Sequence, residues 1–303
     1  MNNLTLRQLR YFEAVANHGH FGRAAQASGI TQPALSAQIK DLETSTGFAL
    51  FERTSRQVRL TPLGEDFAIR AREILTAVDG LTESVDVMRS GAATRLRLGI
   101  IPTIAPYLLP SAIRHLSDRY PGMDIQVRET VTQNLLEQLA DGRLDTAILA
   151  LPVSEPNLEE VALFEEAFVL VRPQADVAKP TPSPQHLSEM RLFLLEEGHC
   201  FRDQALSFCG LPSALPREGL DGCTLSTLVQ MVGLEMGVTL IPEMAVPIET
   251  RSAPVTIARF APPEPSRTVG MVWRKTTPLA PQLREIANLV QHAASKAREA
   301  VLD

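Results

Sequence analysis

The sequence predicts a mixed α/β protein with a small helical N-terminal domain, one long helix and a larger C-terminal α/β half. Three observations lead to this fold class. Apolar residues recur at helical spacing in the first 50 residues, a heptad pattern runs from 62 to 90, and strand and helix patterns alternate after Gly91. A chain of 303 residues with 45% hydrophobic and 21% charged residues is long enough, and ordinary enough in composition, for two or three globular domains.

The N-terminal 50 residues follow the order helix, glycine turn, capped helix. The apolar positions of the first two helical segments are Leu6, Leu9, Phe12, Val15, Ala16, Phe21, Ala24 and Ala25. Gly29 ends the second segment, and Thr31 is a favourable N-cap for a third helix with Pro33 in its first turn. The buried face of that helix consists of Leu35, Ile39 and Leu42. This is the order of a helix-turn-helix, whose second helix enters the DNA major groove.

Polar residues of the third helix are candidates for contacts with DNA bases. Gln32, Ser36 and Gln38 lie on surfaces that the apolar face leaves exposed. Uncharged hydrogen-bonding side chains of this kind read base edges in the major groove, and Gln32 and Ser36 are the preferred readers. The alternative is that this polar face is only solvated.

Two short strands around a polar turn are predicted at 50–53 and 57–60. A hairpin at this place is the wing of a winged helix-turn-helix. Arg53 and Arg56 are then expected to contact the phosphate backbone of DNA. Arginines that only meet solvent are the alternative.

The N-terminal segment resembles the winged helix-turn-helix of the LysR family over its whole length. The features that carry the resemblance occur in order and at the family's spacing, and they are FGRAA, TQPALS, LFER and LTPLG. The resemblance implies that a pair of such domains, each at residues 1–61, reads an inverted-repeat operator in double-stranded DNA. The residues that it implies at the groove are Thr31, Gln32, Pro33 and Ser36.

The charge distribution indicates contact with phosphate at one end of the chain. Residues 1–60 carry seven Lys and Arg against four Asp and Glu, although the whole chain has a net charge of −6. A basic N-terminal domain attached to an acidic remainder is expected when only one end binds nucleic acid.

The sequence lacks an apolar stretch typical of a signal peptide, and no run approaches the roughly 18 apolar residues of a membrane span. We therefore expect a cytoplasmic protein without membrane contact. In a reducing compartment, any disulfide among its three cysteines is expected to be transient.

A long linker helix is predicted over 62–91. Its apolar positions repeat every seven residues at Phe67, Ile74, Leu81 and Met88, with further members at Ala71, Val78 and Val85. A seam this narrow needs a partner helix, so a dimerising coiled coil is expected, as the LysR resemblance also implies. Packing on the chain's own body is the alternative. Gly80 is expected to weaken the helix by about 1 kcal/mol relative to alanine if it is exposed.

Strand and helix patterns alternate in residues 92–303. The predicted strands are Leu96–Ile101, Ile125–Glu129, Thr146–Leu151, Phe168–Arg172, Leu192–Leu195, Val238–Ile241 and Thr268–Trp273. Helical patterns such as 135–141 and 227–236 separate most of them. This alternation predicts parallel βαβ units with helices on both faces of a sheet.

The LysR resemblance implies a C-terminal regulatory domain of two subdomains, similar to periplasmic binding proteins, with a ligand cleft between them. Subdomain I is expected at about 92–164 and 268–303, and subdomain II at about 165–267. The chain is expected to cross between them near 162–168 and 264–270.

Two threonines stand where such a cleft is built. Thr103 follows the first strand and Thr132 follows the second, each near the start of a helix. Backbone N–H groups and hydroxyls converge on small polar ligands at such places. A plain N-cap role is the alternative for each threonine.

A cysteine pair lies in the segment GHCFRDQALSFCG. Cysteine reacts with peroxide as the thiolate, which cationic groups favour, and Cys200 has His199 and Arg202 within two residues. Cys200 is therefore suited to be the attacked thiol, and Cys209 to resolve its sulfenic acid as a disulfide. The alternative is that both cysteines are small buried hydrophobic residues.

Geometry sets a condition on that disulfide. If the residues between Cys200 and Cys209 are helical, their Cα atoms are about 13 Å apart, whereas a disulfide needs less than roughly 7 Å. Oxidation then has to refold the segment, with Gly198 and Gly210 as candidate hinges.

The cysteine segment resembles the redox loop of the hydrogen-peroxide sensors of the LysR family, with the same eight-residue gap. Other segments that resemble those sensors are IPTIAPYLLP, LDTAILAL, TLVQMV, GVTLIP and SRTVGMVWR. The resemblance implies that Cys200 reacts with peroxide and that Cys209 resolves the product. It also implies a peroxide pocket formed by Thr103, Thr132, His199, Asp203 and Arg267. Cys223 departs from the pattern, and we expect it to pack in the core.

The same resemblance implies an activator of antioxidant genes that works as a dimer or tetramer on promoter DNA. Its other partners would be hydrogen peroxide, RNA polymerase and a cellular dithiol reductant. Signalling needs one oxidation event per subunit, so the chain is not expected to be an enzyme. No cofactor and no metal are expected.

Three other functions stay open from the residues alone. The first is a LysR-type regulator that reversibly binds a small organic effector, in which the cysteines have no role in sensing. A thiol peroxidase fused to a DNA-binding domain turns over peroxide continuously. A metal sensor uses Cys200, His199 and Cys209, although their spacing matches no common zinc pattern.

Overall fold

The computed structural model describes residues 4–53, 58–90, 94–211 and 224–302. It divides into two compact units, Met1–Val85 and Asp86–Asp303. Arg56 and Cys223 lie outside the described residues, as does the side chain of Arg53. Within the described ranges, no helix is long and apolar enough to cross a lipid bilayer.

The first unit begins with three helices, which are α1 Leu6–His18, α2 Phe21–Ala27 and α3 Gln32–Thr46. Thr31 caps α3, because its hydroxyl accepts the N–H of Ala34 at 3.4 Å, and Pro33 lies in the first turn. Gly29 has a φ of +65°, a conformation that glycine adopts at little cost, and it turns the chain between α2 and α3. The predicted helix-turn-helix is confirmed.

A hairpin follows α3. Strand β1 (Phe51–Arg53) pairs antiparallel with β2 (Val58–Leu60), and Phe51 lies opposite Leu60. The ring of Phe51 packs 5.1 Å from that of Phe12 of α1, so the hairpin shares the core of the three helices. The predicted wing is present in the described residues.

Helix α4 (Pro62–Ser90) matches the predicted linker helix. Its first turns pack on the chain's own body, because Ala68, Ala71 and Leu75 are buried in the core of the first unit. For Ala71, the expectation of a contact with a partner helix was therefore wrong. The heptad residues Ile74, Leu81 and Val85 of the same helix are exposed in the single chain.

The described residues of the second unit form an eight-stranded sheet. Its strands are β3 Arg95–Ile100, β4 Asp124–Glu129, β5 Thr146–Leu151, β6 Leu158–Pro173, β7 Leu192–Phe193, β8 Val238–Pro242, β9 Val255–Ala258 and β10 Ser266–Arg274. Its helices are α5 Ala105–Arg119, α6 Thr132–Ala140, α7 Pro184–Glu189, α8 Cys200–Phe208, α9 Leu225–Gly233, α10 Val246–Glu249 and α11 Ala280–Leu302. The strand order is β4-β3-β5-β10-β6-β8-β7, and β9 pairs with β6.

The expectation of a parallel sheet was wrong in part. Strand β3 is parallel to β4 and β5, and β7 is parallel to β8, as βαβ units require. In contrast, β10 runs antiparallel to β5 and β6, and β6 runs antiparallel to β8 and β9. The helix patterns in the sequence identified the βαβ units, but they carried no information on the direction of the long strands β6 and β10.

Strand β6 joins the two ends of the sheet. Its residues up to Ala167 pair with β10, and from Phe168 onward it pairs with β8, then also with β9. The prediction began this strand ten residues too late, because Leu158–Ala167 is rich in glutamate, a residue that is depleted in strands. Pairing with β10 overrides that propensity.

The second unit has two hydrophobic cores, one on each side of the point where β6 changes its pairing partner. One contains Trp273 of β10 and residues of β3, β5, α5, α6 and α11. The other contains Phe168 of β6 and residues of β8, α8 and α9. Cys200 packs against the first core and Cys209 belongs to the second, so α8 connects them.

Candidate functional site

The start of α3 presents the residues predicted to bind DNA. Thr31, Gln32 and Pro33 are exposed, and Ser36 lies one turn further along the helix. Ser36 and Gln38 are partly exposed, outside the buried face of Leu35, Ile39 and Leu42. Glycine at position 22 leaves room for the His20 ring, because a Cβ there would lie 3.1 Å from its Cε1.

A recess of about 160 Å³, counted to its open mouth, lies at the N-terminal end of α8. It is lined by Ile101, Pro102, Thr103, Val131, Thr132, His199, Cys200 and Phe201. Four of the predicted site residues, Thr103, Thr132, His199 and Cys200, therefore meet in one place. They come from the turn after β3, the first residue of α6, and the N-cap and first residue of α8.

Neither threonine of the recess is a helix cap. The N-cap of α5 is Ile104 and that of α6 is Val131, and neither makes a side-chain capping bond. The hydroxyl of Thr132 is buried, and it has no hydrogen-bond partner in the part of the chain that the structure describes. A buried hydroxyl without a partner costs free energy, so this hydroxyl is available to hydrogen-bond a ligand that enters the recess.

Arg267 reaches the recess through Thr103. Its side chain is fully buried, and its Nη1 donates to Thr103 Oγ1 at 2.8 Å while Nη2 donates to the Thr103 carbonyl at 3.0 Å. The guanidinium also lies 5.6 Å from the ring centroid of Phe201, a cation–π contact. Arg267 therefore supports the wall of the recess.

Asp203, a predicted pocket residue, does not line the recess. It is exposed in the first turn of α8. A carboxylate in the first turn interacts favourably with the positive end of a helix, which accounts for its position without a ligand.

His199 does not supply the cation that the sequence predicted beside Cys200. Burial lowers the pKa of His199 below its ordinary value of 6.5, and the nearby Glu196 only partly opposes this. The imidazole is therefore neutral near pH 7. The other predicted cation, Arg202, is buried and donates Nη1 to the Leu195 carbonyl at 2.9 Å.

The two cysteines occupy opposite ends of α8. Cys200 is half-buried as its first residue, and Cys209 is its buried C-cap residue. Both are free thiols. Burial raises the pKa of Cys209 to about 11, so this thiol stays protonated at neutral pH. The helical segment that the disulfide argument assumed is thus present.

Sequence reasoning missed Glu166. Its carboxylate is buried and accepts hydrogen bonds from Arg267 Nε at 2.9 Å and from the Met244 N–H at 3.0 Å. No motif marks this glutamate. Strand register alone places it, because Glu166 and Arg267 lie directly opposite each other on β6 and β10, and that register follows from the fold rather than from a local sequence pattern.

A second missed group links the two cores. Tyr107 of α5 donates to Glu249 Oε1 at 2.6 Å, and Ser226 of α9 donates to Glu249 Oε2 at 2.5 Å. Burial, followed by the hydrogen bond to Glu249, raises the pKa of Tyr107 above its ordinary value. Tyr107 packs against both cores, so this bond fixes their relative position.

The metal-sensing alternative finds no support in the geometry. Among the residues described, no group of three or more His, Cys, Asp or Glu side chains is arranged to hold a metal ion. Cys209 in particular lies at the opposite end of α8 from His199 and Cys200.

Two family models match the chain. Residues 6–65 match the bacterial regulatory helix-turn-helix protein of the lysR family, and residues 89–295 match the LysR substrate binding domain.

Individual proteins match over nearly the whole length. A probable hydrogen peroxide-inducible genes activator of Streptomyces viridosporus is 45% identical, over 95% of this chain and 94% of that protein. The DNA-binding transcriptional dual regulator OxyR of Escherichia coli K12 is 37% identical, over 95% of both chains.

Solved structures also match the chain over nearly its whole length. A full-length OxyR of Pseudomonas aeruginosa, with one cysteine replaced by aspartate, has a TM-score of 0.76 at 34% identity and covers 95% of this chain and 98% of its own. A hydrogen peroxide-bound OxyR mutant of Corynebacterium glutamicum has a TM-score of 0.68 at 32% identity and covers 98% and 95%.

Proposed function

This chain belongs to the LysR family of DNA-binding transcription regulators, and from that premise we propose that it is an OxyR-like activator that responds to hydrogen peroxide. Cys200 is the thiol that reacts with peroxide, and Cys209 is the thiol that resolves the product. The observation that carries the proposal is the recess in which Thr103, Thr132 and His199 surround Cys200.

The size of the recess favours peroxide over an organic effector. Pockets for small organic molecules usually measure about 300–1,000 Å³, whereas this recess measures about 160 Å³ including its mouth. The lining side chains leave no space for a water-sized molecule between them, so a ligand of two oxygen atoms enters after a small outward movement of these side chains. The hydroxyls of Thr103 and Thr132 supply hydrogen bonds to such a ligand.

The first chemical step oxidises Cys200. Its thiolate attacks one oxygen of hydrogen peroxide, an S–O bond forms, the O–O bond breaks, and the other oxygen leaves as hydroxide. Sulfur loses two electrons, which the peroxide accepts. A proton from water neutralises the hydroxide, and the Thr103 hydroxyl stabilises the leaving oxygen with a hydrogen bond.

The second step converts the sulfenic acid into a disulfide. The Cys209 sulfur attacks the Cys200 sulfur, water leaves, and an S–S bond forms. The nine-residue α8 separates the two cysteines, so the helix has to open before they meet. The disulfide then stabilises a second conformation of the regulatory domain.

The output is a change in how a dimer or tetramer binds promoter DNA and contacts RNA polymerase. Thr31, Gln32, Pro33 and Ser36 bind in the major groove, and Arg53 and Arg56 contact phosphate groups. The exposed heptad residues of α4, among them Ile74 and Leu81, pair with the same helix of a second copy. A cellular dithiol reduces the disulfide and restores the resting state.

Mass spectrometry after a brief pulse of micromolar peroxide tests this proposal. We expect a Cys200–Cys209 disulfide, lost in Cys209→Ser and retained in the control Cys223→Ser, together with altered operator footprints. Free thiols at both positions, with footprints that change only on addition of an organic effector, would contradict the redox response. Sustained peroxide consumption in excess reductant would indicate a peroxidase instead.

A further inference from the structure

We propose that Glu166 is a positioning residue for the oxidation of Cys200, and that it acts by holding Arg267 and, through Arg267, the hydroxyl of Thr103. The inference rests on the proposed function of the recess. Glu166 is not part of the recess lining, so any effect on peroxide has to pass through other side chains.

The first step is the contact between Glu166 and Arg267. The two residues are cross-strand neighbours on β6 and β10, and their side chains are 2% and 0% exposed. Glu166 Oε2 accepts from Arg267 Nε at 2.9 Å and lies 2.8 Å from Nη2. A buried guanidinium that loses its carboxylate is left with an uncompensated charge, so this contact determines where Arg267 lies.

The second step leads from Arg267 to Thr103. The guanidinium is planar and rigid, so holding it at Nε and Nη2 also orients Nη1. Nη1 donates to Thr103 Oγ1 at 2.8 Å, and Nη2 donates to the Thr103 carbonyl at 3.0 Å. Phe201 covers a face of the guanidinium. Arg267 is thus fixed between one carboxylate and one threonine.

The third step concerns the proton of the Thr103 hydroxyl. A hydroxyl has one proton and two lone pairs, and Arg267 occupies a lone pair. The proton therefore points away from the guanidinium, and the open side of Thr103 is the recess that it shares with Cys200. A donor aimed there stabilises the oxygen that becomes hydroxide as the O–O bond breaks.

The other oxygen of Glu166 is also engaged. Oε1 accepts the N–H of Met244 at 3.0 Å, in the segment that follows β8. Both carboxylate oxygens are occupied, so the carboxylate is held in one orientation. A glutamate that only neutralised the charge of Arg267 would not need the second hydrogen bond, from the Met244 N–H.

The test compares two reactions of the same thiol in a Cys209→Ser background, where oxidation stops at the sulfenic acid. Peroxide oxidation of Cys200, followed by dimedone trapping, needs a donor for the leaving oxygen. Alkylation of Cys200 by iodoacetamide releases iodide and does not need one. We expect Glu166→Gln to slow oxidation about tenfold and to change alkylation less than about twofold. The matched control is Glu165→Gln, an exposed neighbour on the same strand that should leave both rates unchanged.

A double-mutant cycle with Thr103→Val separates positioning from a general structural effect. If Glu166 acts through Thr103, Glu166→Gln adds little to the loss caused by Thr103→Val. Three results would overturn the inference. The double variant could lose the product of the two single losses, Glu166→Gln could slow oxidation and alkylation equally, or it could leave the oxidation rate unchanged. If Glu166→Gln does not fold, Glu166→Asp replaces it, because aspartate keeps the negative charge on a shorter side chain. We expect Glu166→Asp to slow oxidation of Cys200 by the same factor and to leave alkylation unchanged. Failure of the parent to react with peroxide would refute the proposed function itself.

Discussion

Cys200 and Cys209 are the first residue and the C-cap residue of the same helix, so the whole of α8 stands between the two thiols. A helix of this length keeps their Cα atoms about 13 Å apart, while a disulfide requires less than roughly 7 Å. Local opening of α8 is therefore a necessary step between the sulfenic acid and the disulfide. The free energy of that opening enters the rate of disulfide formation.

The helix propensity at position 207 should change the rate of disulfide formation. Ser207 is exposed in the last turn of α8. Glycine is about 1 kcal/mol less favourable than alanine in a helix, so Ser207→Gly should form the disulfide about fivefold faster than Ser207→Ala. Sulfenic acid formation should be the same in both variants. Rapid-quench mass spectrometry measures both steps, and equal disulfide rates would mean that helix opening does not limit the reaction.

Alkylation should distinguish the folded and unfolded environments of Cys209. Burial raises the pKa of this thiol to about 11. At pH 8 the thiolate fraction is then about one hundredth of that of a cysteine with the ordinary pKa of 9.0. We expect iodoacetamide to modify Cys209 at least about a hundredfold more slowly in the native protein than in urea. Half-buried Cys200 is the internal comparison, and equal protection of both thiols would contradict the prediction.

Acidification should destabilise the protein through His199. Burial lowers its pKa below 6.5, so the unfolded chain binds a proton that the folded chain resists. This contribution to stability is complete above about pH 6.5 and is lost as the pH falls toward the folded-state pKa. Urea unfolding at pH 7.5 and 5.0 should show a smaller decline for His199→Gln than for the parent. The exposed His186, replaced in the same way, should retain the parent's decline.

Base contacts by α3 should appear as selective losses of operator affinity. Gln32→Ala and Ser36→Ala are each expected to weaken operator binding by about 1–3 kcal/mol and to leave binding to random DNA nearly unchanged. The control is Thr44→Ala, an exposed position about 18 Å from Gln32 along the same helix. Fluorescence anisotropy at fixed salt measures both affinities, and equal losses on both DNAs would indicate phosphate contacts instead.

Two glycines of α4 should respond in opposite directions to alanine. A Cβ at Gly64 would lie 2.1 Å from the Leu50 carbonyl oxygen, whereas a Cβ at Gly80 would meet nothing within 4 Å. Gly64→Ala forces a backbone shift and should destabilise the protein by about 2 kcal/mol. Gly80→Ala should stabilise the helix by about 1 kcal/mol. Thermal unfolding of both variants tests the pair, and a stable Gly64→Ala variant would contradict the close approach.

Features determined by neighbours in sequence were predictable. Thr31 as a cap, Gly29 as a turn and α4 as one long helix follow from capping and periodicity, and all three are present. In these cases the physical cause lies within a few residues along the chain. The approach of Thr103 and Thr132 agrees with the expectation that strand and helix ends converge, whereas the place of Cys200 beside them was expected only from the family resemblance.

Features determined by pairing across the sheet were not predictable. The antiparallel strands, the early start of β6 and the short β9 depend on partners distant in sequence. Glu166 was missed for the same reason, because only the register of β6 and β10 brings it to Arg267. The neutral state of His199 depends on burial, which spacing from Cys200 does not reveal.

Because β6 changes its pairing partner from β10 to β8, the two parts of the sheet can rotate relative to each other around that point. Glu166 lies two residues before Phe168, where β6 begins to pair with β8, so the support of the recess and the joint of the sheet coincide. On one side, β4 lies four strands from β6, a lever arm of about 19 Å at the usual strand spacing. A rotation of about 10° around the joint would displace β4 by about 3 Å, more than the helix shifts of about 1–2 Å that switch subunit interfaces. Such a rotation would turn a small rearrangement beside Cys200 into a larger displacement at the edge of the sheet.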